Sequence, residues 1–143
     1  MSNPPVCIDA SFILRLLQSR GETTAIRVYR SWKEAGRLLV APTLLYYEVA
    51  NALHRYTLGG YLQPGGAEAL LQQVFRLGIS LYGDPGLHLK ALQVAQDLGL
   101  PAAYDAHYLA LAQHLNGEFW TADKRLFRAV QDRIPNIHLL EAE

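Results

Sequence analysis

The sequence predicts an α/β fold, a three-layer α/β/α sandwich with a central parallel five-stranded sheet. Short apolar runs alternate along the chain with longer segments in which apolar residues recur every three or four positions, an order typical of βαβ units. The short runs are nearly all apolar rather than alternating, which is typical of strands covered by helices on both faces. A chain of 143 residues, half of them hydrophobic, is expected to form one domain over residues 1–143.

The strands are predicted from five apolar runs bounded by polar or turn-forming residues. These runs are residues 6–8, 38–41, 79–82, 118–121 and 137–140. Parallel strands end at the same edge of a sheet, and such sheets bind their ligands beyond that edge, near the point where the strand order reverses. We therefore expect functional side chains directly after the strands.

The helices are predicted from seven segments with helical spacing. They are residues 12–18, 24–35, 43–57, 65–77, 85–98, 103–115 and 124–130. In the second segment, Ile26, Tyr29 and Trp32 are spaced by three. A glycine stands at the position of a C-terminal cap after the second and fourth segments, and a glycine pair stops the third. The fifth has a proline in its first turn and a glycine after its last residue.

Charge and composition limit the classes of function. Basic and acidic residues number 13 each, so the molecule as a whole does not attract nucleic acid, and a polyanion would need a local patch or bound cations. The single cysteine, Cys7, excludes an intrachain disulfide and a cysteine-based zinc site. No signal peptide is visible, and no apolar run approaches the roughly 20 residues that span a bilayer. We expect a cytoplasmic protein that does not engage a membrane.

Four acidic residues occupy positions that suit catalysis. Asp9 and Asp123 directly follow the first and fourth predicted strands, which places both at one edge of the sheet. Asp105 lies in the first turn of a predicted helix, where the helix dipole favours an anion. Glu48 lies among apolar neighbours at helical spacing, which is unusual because burying a lone carboxylate is costly. Each acid alone is also consistent with a helix cap, a turn or an exposed helix rim, and only their joint placement predicts a site.

Clustered carboxylates predict a metal. They repel one another and must protonate or bind a cation, and all-oxygen ligands select Mg²⁺ or Mn²⁺. Ser11 and Thr121 are hydroxyl residues beside the acids, and we interpret them as groups that orient the ligands or contact metal-bound water, with helix capping as the alternative. Asn51 lies three residues after Glu48 on the same helical face, and either orients Glu48 or bonds a neighbouring backbone group.

Other polar and aromatic residues near the acids have two interpretations. Tyr46, Tyr47 and Tyr56 fall on the helix that carries Glu48, and packing in the core or at an interface is expected, with stacking on bases as the alternative. The five histidines have no spacing typical of a metal site.

Four segments carry a resemblance to a known family. They are VCIDAS (6–11), EVANAL (48–53), YDAHYLALA (104–112) and TADKRL (121–126). On the basis of these four segments and their order, nearly the whole chain resembles the PIN-domain family, and within it the VapC-type toxins of bacterial toxin–antitoxin pairs. The resemblance implies a PIN-like domain whose first and fourth strands are adjacent. It also implies a metal site formed by Asp9, Glu48, Asp105 and Asp123, the last of which contributes variably among relatives.

The resemblance further implies an activity and partners. Members are Mg²⁺- or Mn²⁺-dependent endoribonucleases that leave a 3′-hydroxyl and a 5′-phosphate. A VapC-type toxin is held inactive by a small antitoxin protein and commonly forms a homodimer. The expected function is that of the toxin of a type II toxin–antitoxin system, with RNA as substrate. Two alternatives stay open. One is a PIN-like module that binds RNA or protein without cleavage. The other is a phosphodiesterase that acts on DNA, since no feature of the sequence indicates recognition of a 2′-hydroxyl group.

Overall fold

The computed structural model describes residues 3–141, and its elements follow the predicted order. The strands are β1 (Val6–Ile8), β2 (Leu39–Pro42), β3 (Ser80–Tyr82), β4 (Glu118–Thr121) and β5 (Ile137–Leu139). The helices within this range are α1 (Ala10–Leu17), α2 (Thr24–Glu34), α3 (Leu44–Leu58), α4 (Gly66–Phe75), α5 (Pro85–Leu98), α6 (Tyr104–His114) and α7 (Lys124–Val130). None of these helices is long and apolar enough to cross a membrane.

The five strands form one parallel sheet in the order β3-β2-β1-β4-β5. In the centre, Cys7 of β1 pairs with Val40 of β2 on one side and with Phe119 of β4 on the other. The chain moves to one side from β1 to β3 and to the opposite side from β4 to β5, so the strand order reverses between β1 and β4. This confirms the predicted parallel sheet and the adjacency of its first and fourth strands.

The helices cover the sheet in two groups. Because parallel crossovers are right-handed, α1 to α4 pack on one face and α5 to α7 on the other, which gives the predicted three layers. The central strand β1 is buried between them, and Val6, Cys7 and Ile8 are fully buried. The three largest fully buried side chains among the described residues are Phe12 of α1, Tyr108 of α6 and Phe119 of β4. The apolar character of the strand segments therefore reflects burial on both faces.

The predicted bounds agree with the structure to within two residues. The first helix begins at Ala10 rather than at residue 12, because Asp9 caps it and accepts a hydrogen bond from the Phe12 backbone N–H. The second strand is shifted by one residue to Leu39–Pro42, since Leu38 is half exposed. The fourth helix ends at Phe75, two residues before the predicted end.

Close backbone approach sets the register of β1 against β4. The Glu118 backbone N–H donates to the Pro5 carbonyl oxygen at 2.9 Å. A Cβ atom on the neighbouring Gly117 would lie 2.5 Å from that same oxygen, so only glycine fits there. This register brings the carboxyl ends of β1 and β4 level with each other, at the point where the strand order reverses.

Candidate active site

Asp9 is held at the end of β1 by three hydrogen bonds. Its Oδ1 accepts from the Ser11 hydroxyl at 2.7 Å and from the Phe12 backbone N–H at 3.0 Å. Its Oδ2 accepts from the Thr121 hydroxyl at 2.6 Å. Because a carboxylate has about four lone-pair positions, one position on Oδ2 is left for a ligand.

Burial makes the charged form of Asp9 costly. Only 5% of the residue is exposed, and burial raises the pKa of its carboxyl from 3.8 to about 6. The three hydrogen bonds oppose this increase, and repulsion from Asp105 adds to it. A cation beside Asp9 would remove much of this cost.

Ser11 and Thr121 connect Asp9 to the turn after β4. Each hydroxyl has one proton, and both protons are donated to the Asp9 carboxylate. The two oxygens, 3.2 Å apart, therefore act as acceptors for the backbone: Ser11 Oγ accepts from the Ala122 N–H at 2.8 Å, and Thr121 Oγ1 accepts from the Asp123 N–H at 3.0 Å. This network fixes the Asp9 carboxylate relative to the segment that carries Asp123.

Glu48 is oriented by a tyrosine from the opposite layer. Glu48 is half-buried on α3, and its Oε1 accepts from the hydroxyl of Tyr108 on α6 at 2.5 Å. Burial raises the pKa of Glu48, the Tyr108 hydrogen bond opposes that increase, and repulsion from Asp105 adds to it. Of the two roles expected for Asn51, contact with Glu48 is not seen, since Asn51 is exposed and no hydrogen bond within residues 3–141 joins the two residues.

Asp105 is the electrostatic centre of the four acids. It is partly buried in the first turn of α6, and burial and repulsion from Asp123 raise its pKa. The same carboxylate raises the pKa of Asp9 and of Glu48 by repulsion. Asp123 itself is exposed and caps α7, where its Oδ1 accepts from two backbone N–H groups at 2.9 and 3.2 Å. The end of β1, helix α3 and the N-terminus of α7 thus each bring one acid within electrostatic range of Asp105.

The chemistry of the donors fits a hard divalent cation. With the side chains as they lie, no three His, Cys, Asp or Glu residues in the described part of the chain converge closely enough to chelate an ion. The four acids supply only oxygen, however, and lone pairs of Asp9 Oδ2 and Glu48 Oε2 take part in no hydrogen bond within residues 3–141. Because repulsion among these carboxylates raises their pKa values, a cation held between them would stabilise their charged forms.

Sequence reasoning missed Tyr108 and a histidine pair. Tyr108 lies three residues after Asp105 on α6, and this spacing on one helical face was a signal that could have indicated it. The Nδ1 of His88 on α5 lies 3.0 Å from the Nε2 of His107 on α6. No local pattern relates two histidines 19 positions apart on different helices.

Comparison with known proteins identifies the family. The family model described as the PIN domain matches residues 6–132. Ribonuclease VapC9 from Mycobacterium tuberculosis is 33% identical over 130 residues, which cover 91% of this chain and 94% of that protein.

Solved structures share the fold. The structure of PAE2754 from Pyrobaculum aerophilum has a TM-score of 0.67 at 26% identity and covers 88% of this chain and 79% of that one. VapBC2 from Rickettsia felis, bound to a DNA fragment from its promoter, has a TM-score of 0.69 at 11% identity and covers 96% and 98% of the two chains. The match to the PIN model over most of the chain, the kinship with a VapC ribonuclease and the acids gathered around Asp105 lead to one conclusion: this chain belongs to the PIN-domain family and is related to its VapC ribonucleases.

Proposed function

We propose that the protein is a metal-dependent endoribonuclease and the toxin of a type II toxin–antitoxin pair. The observation that carries the proposal is the placement of Asp9, Glu48, Asp105 and Asp123 around one edge of the sheet, with Asp105 in electrostatic range of the other three. The PIN family and its ribonuclease members support this activity. We expect the protein to act on RNA in the cytoplasm.

PIN-domain nucleases depend in general on a metal, and the four acids are the groups that would hold it here. An all-carboxylate donor set favours Mg²⁺ or Mn²⁺ over softer ions. When bound, such an ion positions the phosphodiester, activates water and stabilises the charge that develops on the phosphate. It would also let a protein of zero net charge hold a polyanion.

The side chains contribute by holding carboxylate oxygens in fixed positions. Ser11 and Thr121 direct the unused lone pair of Asp9 Oδ2, and Tyr108 occupies one oxygen of Glu48 and leaves Oε2 for a ligand. Asp123 has its Oδ1 committed to the N-terminus of α7, so its Oδ2 is the oxygen available to the site. These hydrogen bonds reduce the number of orientations that each carboxylate must lose when a cation binds.

An antitoxin partner has a suitable surface on the α1–α4 layer. A groove of about 740 Å³ lies between α1, α3 and α4, and its apolar lining comprises Leu14, Leu17, Leu53, Tyr56, Leu62 and Leu70. Leu53 is buried, but Tyr56 and the other leucines are only partly covered. We expect an amphipathic segment of the antitoxin to fill this groove.

A homodimer is also expected, through the opposite layer. Helix α5 presents two large apolar side chains to the exterior, Leu89 and Leu92, which are 65% and 49% exposed. Exposed apolar residues on one helix face are typical of an interaction surface. Light scattering on the purified protein, beside Leu89→Asp, tests this: a dimer that dissociates in the variant supports the assignment.

The activity is tested by cleavage of total cellular RNA and structured RNA with purified protein. Reactions contain Mg²⁺, Mn²⁺ or EDTA, and are run beside Asp9→Asn and the matched control Asp97→Asn, an exposed acid at the far end of α5. We expect cleavage that needs the metal, persists in Asp97→Asn and is lost in Asp9→Asn while the far-UV spectrum is unchanged. Full activity of Asp9→Asn contradicts the site. A folded protein that binds metal but cleaves no RNA supports the non-cleaving module.

A further inference from the structure

A small pocket lies beside the acids and is not used by the proposed chemistry. It has a volume of about 200 Å³ and lies between α3, α5 and α6 at the ends of β2 and β3. Tyr47, Tyr82, Tyr104, His88 and His107 form its aromatic walls, and we call it the tyrosine pocket. Two of these residues neighbour the acids in the chain: Tyr47 precedes Glu48, and Tyr104 precedes Asp105. The lining residue His107 also lies within electrostatic range of Glu48, so the pocket adjoins the proposed catalytic site.

Two rings of the tyrosine pocket are unusually exposed. Tyr47 is 73% exposed and Tyr104 is 65% exposed, whereas Tyr108, on the same helix as Tyr104, is fully buried. Exposed aromatic rings next to a phosphate-binding site are the platforms on which proteins stack the bases of single-stranded RNA. The lining contains no lysine or arginine, so the pocket suits a neutral ring rather than a phosphate group.

The histidine pair determines whether the pocket offers a hydrogen-bond donor or an acceptor to a ligand. The Nδ1 of His107 lies 2.8 Å from the Ala103 carbonyl oxygen, which can only accept, so this nitrogen carries a proton. In the neutral pair, His107 Nε2 is then an acceptor and receives the proton of His88 Nδ1, 3.0 Å away. The remaining nitrogen, His88 Nε2, is an acceptor with no partner within residues 3–141. The pocket thus offers an acceptor to a ligand that donates.

We propose that the tyrosine pocket is the subsite for an unpaired nucleobase next to the scissile phosphate of the RNA. The base packs against Tyr47 and Tyr104, and one of its N–H groups donates to His88 Nε2. The inference rests on the proposed nuclease function and adds to it the group that selects where the RNA is cut.

The test removes the rings without touching the acids. The double variant Tyr47→Ala/Tyr104→Ala is compared with Tyr47→Phe/Tyr104→Phe, which keeps the rings, and with Leu58→Ala, an exposed residue at the far end of α3. His88→Ala tests the acceptor. Cleavage of a randomised single-stranded RNA with Mg²⁺ is followed by sequencing of the new ends, and KM and kcat are measured on one cleaved oligonucleotide.

A second measurement does not depend on cleavage. In an Asp9→Asn background, binding of single-stranded RNA that contains 2-aminopurine is followed by fluorescence, because stacking of this base on a tyrosine quenches its emission. Light scattering on every variant reports the oligomeric state.

We expect the double alanine variant to raise KM and the dissociation constant roughly 5- to 100-fold, the range set by loss of base–aromatic stacking. Leu58→Ala retains wild-type KM, the double phenylalanine variant recovers most of the affinity that the double alanine variant loses, and His88→Ala raises KM roughly 2- to 10-fold through loss of one hydrogen bond. The proposal is overturned if the double alanine variant keeps the KM, the cut sites and the quenching of the wild type. In that case, cleavage by the wild type still supports the nuclease function. Conversion of a dimer to a monomer with unchanged RNA binding also overturns it, and assigns this face to a second copy of the chain. If the wild type cleaves nothing, the nuclease function fails and the quenching experiment alone decides on the pocket.

Discussion

The hydroxyl of Thr121 donates a 2.6 Å hydrogen bond to Asp9 Oδ2 across 112 positions of sequence. Thr121 is fully buried at the end of β4, and its own hydroxyl oxygen accepts a hydrogen bond from the backbone N–H of Asp123 at 3.0 Å. One side chain thus ties two of the four acids together. Because β1 and β4 are adjacent only through the sheet order, this link exists in the folded chain alone.

Replacement of Thr121 tests that link. Thr121→Val keeps the shape but leaves the Asp123 N–H and one Asp9 oxygen without a partner, so we expect the free energy of unfolding to fall by about 1–3 kcal/mol and cleavage to fall with it. Thr121→Ser retains both functions of the hydroxyl and should restore activity. Urea denaturation measures the stability, with Thr57→Val, at an exposed position of α3, as the control. A Thr121→Val protein with wild-type stability would contradict the role of the network.

Asp9→Asn is expected to stabilise the metal-free protein at pH 7. The folded-state pKa of Asp9, about 6, lies above its ordinary value of 3.8, so the stabilising contribution of the protonated form is complete below pH 3.8 and is lost as the pH rises through 6. At pH 7 the buried charge therefore opposes folding, and its removal should raise the free energy of unfolding by roughly 1–3 kcal/mol. Thermal unfolding in EDTA measures this, beside Asp97→Asn. A lower melting temperature for Asp9→Asn at pH 7 would refute the sign.

Metal affinity should fall in acid. A metal ligand must be deprotonated, and the pKa of Asp9 is about 6 without metal. Below that pH, we expect the affinity for Mg²⁺ to weaken about tenfold per pH unit for each proton displaced. Calorimetric titration at pH 7.5 and pH 5 measures the change, and Asp9→Asn should bind weakly at both. An affinity that does not depend on pH across this range would mean that Asp9 is not a ligand.

Tyr108→Phe should impair the site with little effect on the fold. The ring stays packed in the core near Phe119, but Glu48 loses the hydrogen bond that orients it and that opposes the increase in its pKa. Loss of such an orienting partner typically costs about 10- to 100-fold in metal affinity or activity. Single-turnover cleavage measures the loss, and Tyr29→Phe on α2 is the control. Unchanged cleavage by Tyr108→Phe would show that Glu48 is held by other means.

Much of the fold could be predicted because its signals are local. Glycines after helices, apolar runs of strand length and helical spacing are set by residues close in sequence, so the element bounds were predicted to within two residues. One of the two-residue differences depended on a side chain: α1 begins earlier because the Asp9 carboxylate caps it. The proposed acids were found from the sequence because three of them directly follow a strand or begin a helix.

The sequence by itself determined the α/β alternation, the parallel sheet and the delivery of Asp9 and Asp123 to one edge, since strand ends fix those positions. Only the tertiary structure decided what surrounds the acids. Tyr108 rather than Asn51 orients Glu48, and His88 meets His107, because α3, α5 and α6 pack at distances and angles that no short sequence pattern records. Contacts between side chains of different layers depend on the packing of the whole core, so they cannot be predicted from residues that are close in sequence.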